Sequence, residues 1–201
     1  VVGPIGQQFS TRSYLPRETR QTSIGLLNQT LADVTALSMQ CKAAHWNAKG
    51  IEFYQLHELF EDLVATFEEH IDTVAERASA LGTARDVAEL TTVPRFPQGP
   101  MDGATLLAAM ADRLAVVDAN LHQAIQTADG QSDLDTADLL NEVSRDVSKA
   151  LWFVEAHLQR TGAQQQQGAA VRQPDTAIQQ QRRGAVQQAG GAQQQLLTDS
   201  A

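Results

Sequence analysis

Residues 45–77 read HWNAKGIEFYQLHELFEDLVATFEEHIDTVAER and hold three of the chain's five histidines beside a run of carboxylates. From Phe53 the apolar residues Leu56, Phe60, Leu63, Phe67, Ile71, Val74, Ala78 and Leu81 recur every three or four positions, the period of an amphipathic helix. Gly82 supplies its stop, so the pattern predicts a helix over 53–81. Upstream, Ile24, Leu27, Leu31, Val34, Leu37, Cys41 and Ala44 keep the same period and predict a helix over about 23–48. Thr22 or Ser23 is its expected N-cap, and Gly50 its left-handed close.

Downstream, Pro94, Pro97, Gly99 and Pro100 forbid a continuous helix across 83–101, although RDVAEL (85–90) fits a short extra turn. Asp102 then caps a third period of Leu106, Met110, Leu114, Val117, Leu121 and Ile125, which ends at Asp129-Gly130. Ser132 or Asp133 caps a fourth, Leu139, Val143, Val147, Leu151, Val154 and Leu158, running to Gly162. No strand-like alternation occurs. The expected fold is all-α, a four-helix bundle over 21–162 with one long crossover. Residues 1–20 read as an extended arm, and 163–201, rich in Gln, Gly and Ala, as a tail too poor in large apolar groups to pack.

Of the net charge of −9, the first arm carries +2 and the tail +1, which leaves −12 on the bundle. Such an acidic body argues against non-specific nucleic-acid binding. The single cysteine, Cys41, excludes an internal disulfide framework and suits a reducing compartment. No apolar run reaches the roughly 18 residues of a membrane span, and the first residues lack a basic segment followed by an apolar one. A soluble cytoplasmic protein is the expectation.

Within the opening stretch, His57 and Glu61 stand four apart, as do Asp72 and Glu76, so each pair shares a helix face. At about 100° per residue, the step from Glu61 to Asp72 returns to within about 20° of one direction. Those eleven residues nevertheless cover about 16 Å along the axis, too far for one coordination sphere. The pairs 57/76 and 61/72 have a common midpoint between Thr66 and Phe67. Two copies of this helix crossing antiparallel there would set His57 and Glu61 of one chain beside Asp72 and Glu76 of the other, as an isologous dimer does. His45, late in the first helix, would add a third ligand. Imidazole with several carboxylates suits iron first, with zinc or manganese as competitors. The scarcity of thiolates argues against a structural zinc cage. The alternative is a solvated face, and on spacing alone the two readings stand about level. HELFE (57–61) lacks the second histidine of a zinc-protease motif.

The pattern K-x-x-HWN-x-x-G-x-x-F-x-x-LH from Lys42, then D-x-x-AER-x-x-x-LG from Asp72, resembles the Dps family of mini-ferritins. The segment 135–158, DTADLLNEVSRDVSKALWFVEAHL, is similar to that family's last helix. The resemblance implies a ferritin-like bundle assembled into a hollow dodecameric shell that oxidises Fe(II), preferably with hydrogen peroxide, and stores ferric mineral, protecting against oxidative damage. It implies a ferroxidase site shared across a two-fold, of His45, His57 and Glu61 with Asp72 and Glu76 from the partner. Glu61 departs from the family's usual Asp by one methylene, which bears on the second iron position. Trp46 is by resemblance a radical trap near the iron, or else a large interface residue. Ordinary ferritins use Glu-x-x-His within one chain, and this sequence has none.

The acidic run DGQSDLDTAD (129–138) reads either as a charged helix start or, by resemblance, as an iron-entry pore at a three-fold. Asp138 matches that pore best, followed by Asp135 and Asp133, with Asp146 further in. His70, His122 and His157 take no role from their spacing. Family members that bind DNA use Lys-rich arms, whereas the arms here carry only arginines. Weak or absent DNA binding is expected. The alternative function is a non-catalytic DNA-protecting or nucleoid-scaffold particle of the same fold.

Overall fold

A computed structural model describes residues 11–83, 90–97 and 101–159. It contains α1 (Arg17–Asn47), α2 (Phe53–Leu81), α3 (Gly103–Gly130) and α4 (Leu134–Leu158), and no strand among the described residues. All four apolar periods are therefore helices, and their stripes meet in one core built around Phe60, Phe67, Ile24, Leu37, Leu106, Met110 and Leu140. On α4 the buried line is Leu140, Val143, Val147, Ala150 and Val154, with Leu139 and Leu151 at its margins.

Side-chain contacts fix the topology. His45 meets His57 and Cys41 meets Met110, so α1 runs antiparallel to both α2 and α3. Arg77 near the end of α2 pairs with Asp133 just before α4, and after the turn at 131–133 α4 folds back on α3, where Asp118 meets Ser148, so α4 runs antiparallel to α2 and α3. The crossover climbs along α1: the carbonyl of Leu90 accepts from Gln29 and that of Pro94 from Gln40. Gly103 then sits beside Leu56 near the start of α2, so α2 and α3 run parallel. This is the ferritin-like arrangement of two antiparallel hairpins joined by a full-length connection. Arg113 anchors that connection from α3, donating to the carbonyls of Ala109 and Arg95 with its guanidinium 5.3 Å from the Phe96 ring centre.

Several boundaries differ from the sequence reading. The first helix begins at Arg17 rather than near 23, so the last four residues of the expected arm are helical. Pro16 occupies the N-cap position, which suits a residue with no N–H to leave unpaired. Thr22 and Ser23 lie inside α1, not at its cap. At the other end α1 closes at Asn47, with the Ala48 N–H bonded to the Ala44 carbonyl. Gly50, at φ +92°, forms the turn into α2 instead, where its carbonyl accepts from the Phe53 N–H. Asp102 caps α3 through the Thr105 N–H at 2.8 Å. The fourth helix ends at Leu158, short of Gly162. The extra turn expected over 85–90 falls, except for Leu90, outside the described residues, as does the tail 163–201.

Candidate metal centre

His45 near the end of α1 and His57 near the start of α2 face each other across the turn at 48–52. Their rings stack with centroids 3.7 Å apart and planes 23° apart. His45 Nδ1 lies 2.9 Å from the His57 carbonyl, and His57 Nδ1 lies 3.2 Å from the His45 carbonyl. A carbonyl oxygen only accepts, so each Nδ1–H donates, and Nε2 is the nitrogen left to bear the lone pair in the tautomer that can bind a metal. Neither Nε2 has a partner among the described residues. This is the orientation that backbone carbonyls impose on metal-binding histidines.

Glu61 follows one turn after His57 and is exposed. Its Oε2 lies 3.4 Å from His45 Nδ1, but that N–H is already directed to the nearer carbonyl of His57. The stronger contact is with Lys42, whose Nζ is 2.7 Å from Glu61 Oε2. The hydrogen bond from Lys42 holds the Glu61 carboxyl below its ordinary range, helped by the nearby imidazoles. Lys42 has no role in the sequence reading. The signal was its place three residues before His45, on the same side of α1.

Asp72 and Glu76 are exposed on α2, and neither has an ion-pair partner among the described residues. Between the two pairs, Ala65 and Glu68 share their direction on the helix and are exposed too. The face of α2 around Thr66–Phe67 thus carries a small residue flanked by carboxylates. Among the described residues of one chain, no three His, Cys, Asp or Glu side chains are close enough to hold a metal ion. Trp46, next to His45, is 61% exposed.

The acidic run behaves differently. Asp133 is fully buried, which is a correction to its pore assignment. Its Oδ2 accepts from Ser23 Oγ at 2.6 Å and Thr136 Oγ1 at 2.7 Å. Its Oδ1 accepts from the Thr136 N–H at 3.2 Å and from Arg77 Nη2 at 2.8 Å. Burial pushes this carboxyl up, but the bonds from Ser23 and Thr136 and the Arg77 guanidinium outweigh it and hold it below its ordinary value. Asp133 is the N-cap of α4 and ties that helix to α1 and α2. Asp135 and Asp138 are exposed, with Asp135 3.8 Å from Arg77. Asp146 is partly exposed and lies 2.9 Å from Nε2 of the buried His70.

Comparison with known proteins follows the same lines. The ferritin-like domain family matches residues 24–163. The DNA protection during starvation protein of Agrobacterium fabrum is 37% identical over 154 residues, covering 74% of this chain and 95% of that protein. DpsC from Streptomyces coelicolor has a similar structure, with a TM-score of 0.75 and 35% identity over 80% of this chain and 97% of that one. Mycobacterium smegmatis Dps gives a TM-score of 0.73 and 26% identity over 77% and 97%. No helix among the described residues is long and apolar enough to cross a membrane.

Proposed function

The chain belongs to the ferritin-like family and, within it, to the Dps proteins, and from that premise we propose that it is a ferroxidase and iron-storage protein whose site is shared by two copies. The observation that carries the reading is the His45–His57 pair, with both Nδ1 atoms tied to carbonyls. It is a preorganised half-site, with two imidazole lone pairs and one carboxylate but too few ligands to close a coordination sphere. The missing carboxylates, Asp72 and Glu76, stand exposed on the same side of α2, at the offset that a two-fold through Thr66–Phe67 would bring opposite.

Fe(II) is the substrate. In this reading His45, His57 and Glu61 hold it from one chain and Asp72 and Glu76 from the partner, with zinc or manganese as competitors. Two ferrous ions give one electron each to hydrogen peroxide, whose O–O bond breaks; two protons are taken up and two waters leave. The protein's part is to hold both ions where the peroxide can accept both electrons together, so that no hydroxyl radical is released. Trp46 would intercept a stray oxidant. Asp138 and Asp135 would draw cations inward at a three-fold of a dodecameric shell, where the ferric product is stored.

The decisive experiment follows Fe(II) oxidation by absorbance after peroxide is added, for the full chain and for a His57→Ala plus Asp72→Ala variant. A loss of at least a hundredfold in rate is expected, with helix content and particle size unchanged. Activity surviving in that variant refutes the site.

The relatives are named for DNA protection, and in this reading protection comes from removing iron and peroxide rather than from a tight DNA contact. The acidic bundle repels phosphate, and only arginines dot the arms. A gel shift at physiological salt should show little retention; tight retention there would support the DNA-scaffold alternative.

A further inference from the structure

Phe53 opens α2, is 43% exposed and takes no part in the buried core. The turn before it fixes its place. Gly50, at φ +92°, bends the chain so that its carbonyl accepts from the Phe53 N–H at 3.1 Å, and the helix starts there. His57 stands four residues on, one turn along the same face. The two rings lie 5.2 Å apart between centroids, with planes 34° apart. That is inside the separation of packed aromatic pairs, about 4.5–7 Å.

His57 is the less firmly bonded of the two half-site histidines. His45 Nδ1 is 2.9 Å from its carbonyl acceptor, whereas His57 Nδ1 is 3.2 Å from its own, at the long end of the range of about 2.7–3.2 Å for N–H···O bonds. The torsion that turns an imidazole about its Cβ–Cγ bond is broad and roughly two-fold. A half-turn there exchanges Nε2 with Cε1 and takes the lone pair out of the half-site. Packing on the ring has to supply what the bond does not. His45 stacks on the His57 ring from α1, and Phe53 lies against it from α2. Of these two neighbours only Phe53 has no ligand atom of its own to orient.

We infer that Phe53 is a positioning residue of the half-site, holding the His57 ring so that Nε2 rather than carbon faces the metal ion. The role rests on the shared-site reading, in which His57 is a ligand supplied by α2. It is distinct from that of Lys42, which acts on Glu61. A flat ring is what the contact needs: tyrosine keeps it, leucine keeps only apolar bulk, and alanine removes both.

The test uses the full chain, first metal-free and then with Co(II) alone. Solid-state NMR of metal-free protein labelled with nitrogen-15 histidine, with His57 assigned by the loss of its signals in His57→Ala, should show one ring orientation protonated on Nδ1. In Phe53→Ala those signals should broaden or split while helix content and particle size stay unchanged. Affinity for Co(II) should fall about three- to tenfold, the scale of an aromatic contact and the outer shell of a metal site. Phe53→Tyr should match the parent in both measurements. Phe53→Leu should lose less than the alanine variant, and it keeps the test sound if that variant does not fold. In a His57→Ala background, Phe53→Ala should leave Co(II) affinity where it was. A His57 signal unmoved by Phe53→Ala, or an affinity loss of the same size without His57, overturns the inference. Should Co(II) fail to bind the parent chain, the shared-site reading falls, and the metal-free His57 signal still decides whether Phe53 orients the ring.

Discussion

The two ends of α2 carry nearly the same inventory of groups and put it to opposite use. At the C-terminal end Arg77 meets Asp133, with Ser23 and Thr136 completing the set. At the N-terminal end Lys42 meets Glu61, with His45 and His57 beside them. In the first cluster the carboxylate is fully buried and both its oxygens are bonded within the chain. In the second the carboxylate is exposed, and both imidazoles present a nitrogen that nothing among the described residues takes up. Satisfaction within one chain marks a structural knot; its absence, with the side chains nonetheless held in place, marks a site waiting for something else. The composition of a polar cluster says little until its bonds are counted.

The largest effect that would test this contrast is on stability. Asp133→Ala removes the α4 cap and leaves Arg77 without its main partner. A loss of about 3 kcal/mol is expected, the lower part of the range for breaking a buried pair, since Arg77 is partly exposed. For a domain of this size that is a fall of roughly 6–12 °C in Tm. Glu61→Ala at the other end should leave the melting temperature where it was and weaken metal binding instead. Equal destabilisation by the two substitutions would erase the distinction between the ends.

A smaller effect appears in acid. The Asp133 carboxyl is held below its ordinary value of 3.8, so it binds a proton more readily unfolded than folded. Its contribution is fully present above that value and is lost as pH falls below it, through the lower folded pKa. Urea titrations between neutral pH and strong acid should show a drop in stability there that Asp133→Asn reduces. The same drop in the Asn variant would assign it to other carboxylates.

Much of the fold was legible because apolar period and helix bounds coincide. The bounds of α2 were readable from Phe53 to Leu81, and Asp102 announced α3 correctly. The early start of α1 was not legible, since its first buried positions are Thr19 and Ser23, which a hydrophobic pattern passes over. Ser23 is buried where something distant receives it: its hydroxyl bonds a residue 110 positions away. The same reason hid the fate of Asp133, which in sequence is one aspartate among several. On the candidate site, spacing put His57 with Glu61 and Asp72 with Glu76 on one side of α2, because a helix converts numbers into directions. It was silent on the ring stack and on Lys42, both of which depend on how closely α1 and α2 approach.

Lys42 supplies the smallest and sharpest test. In the chain described, its ammonium occupies Glu61 at 2.7 Å, so a metal ion that recruits Glu61 must displace a cation already there. The pair is partly exposed, and exposed ion pairs are weak, so the displaced contact is worth only a modest factor. Lys42→Met keeps the length and apolar stem of the side chain but removes the competitor. Its affinity for Co(II), a spectroscopically visible stand-in for iron that peroxide-free solution leaves divalent, should rise roughly two- to fivefold. In Lys42→Arg it should stay near the parent value, because the charge is retained. In a Glu61→Gln background the Met substitution should do nothing, since there is no carboxylate left to release. A gain from Lys42→Met that persists in that background would mean the lysine acts by long-range repulsion rather than by holding Glu61. The N-terminal end of α2 would then be merely acidic, not latched.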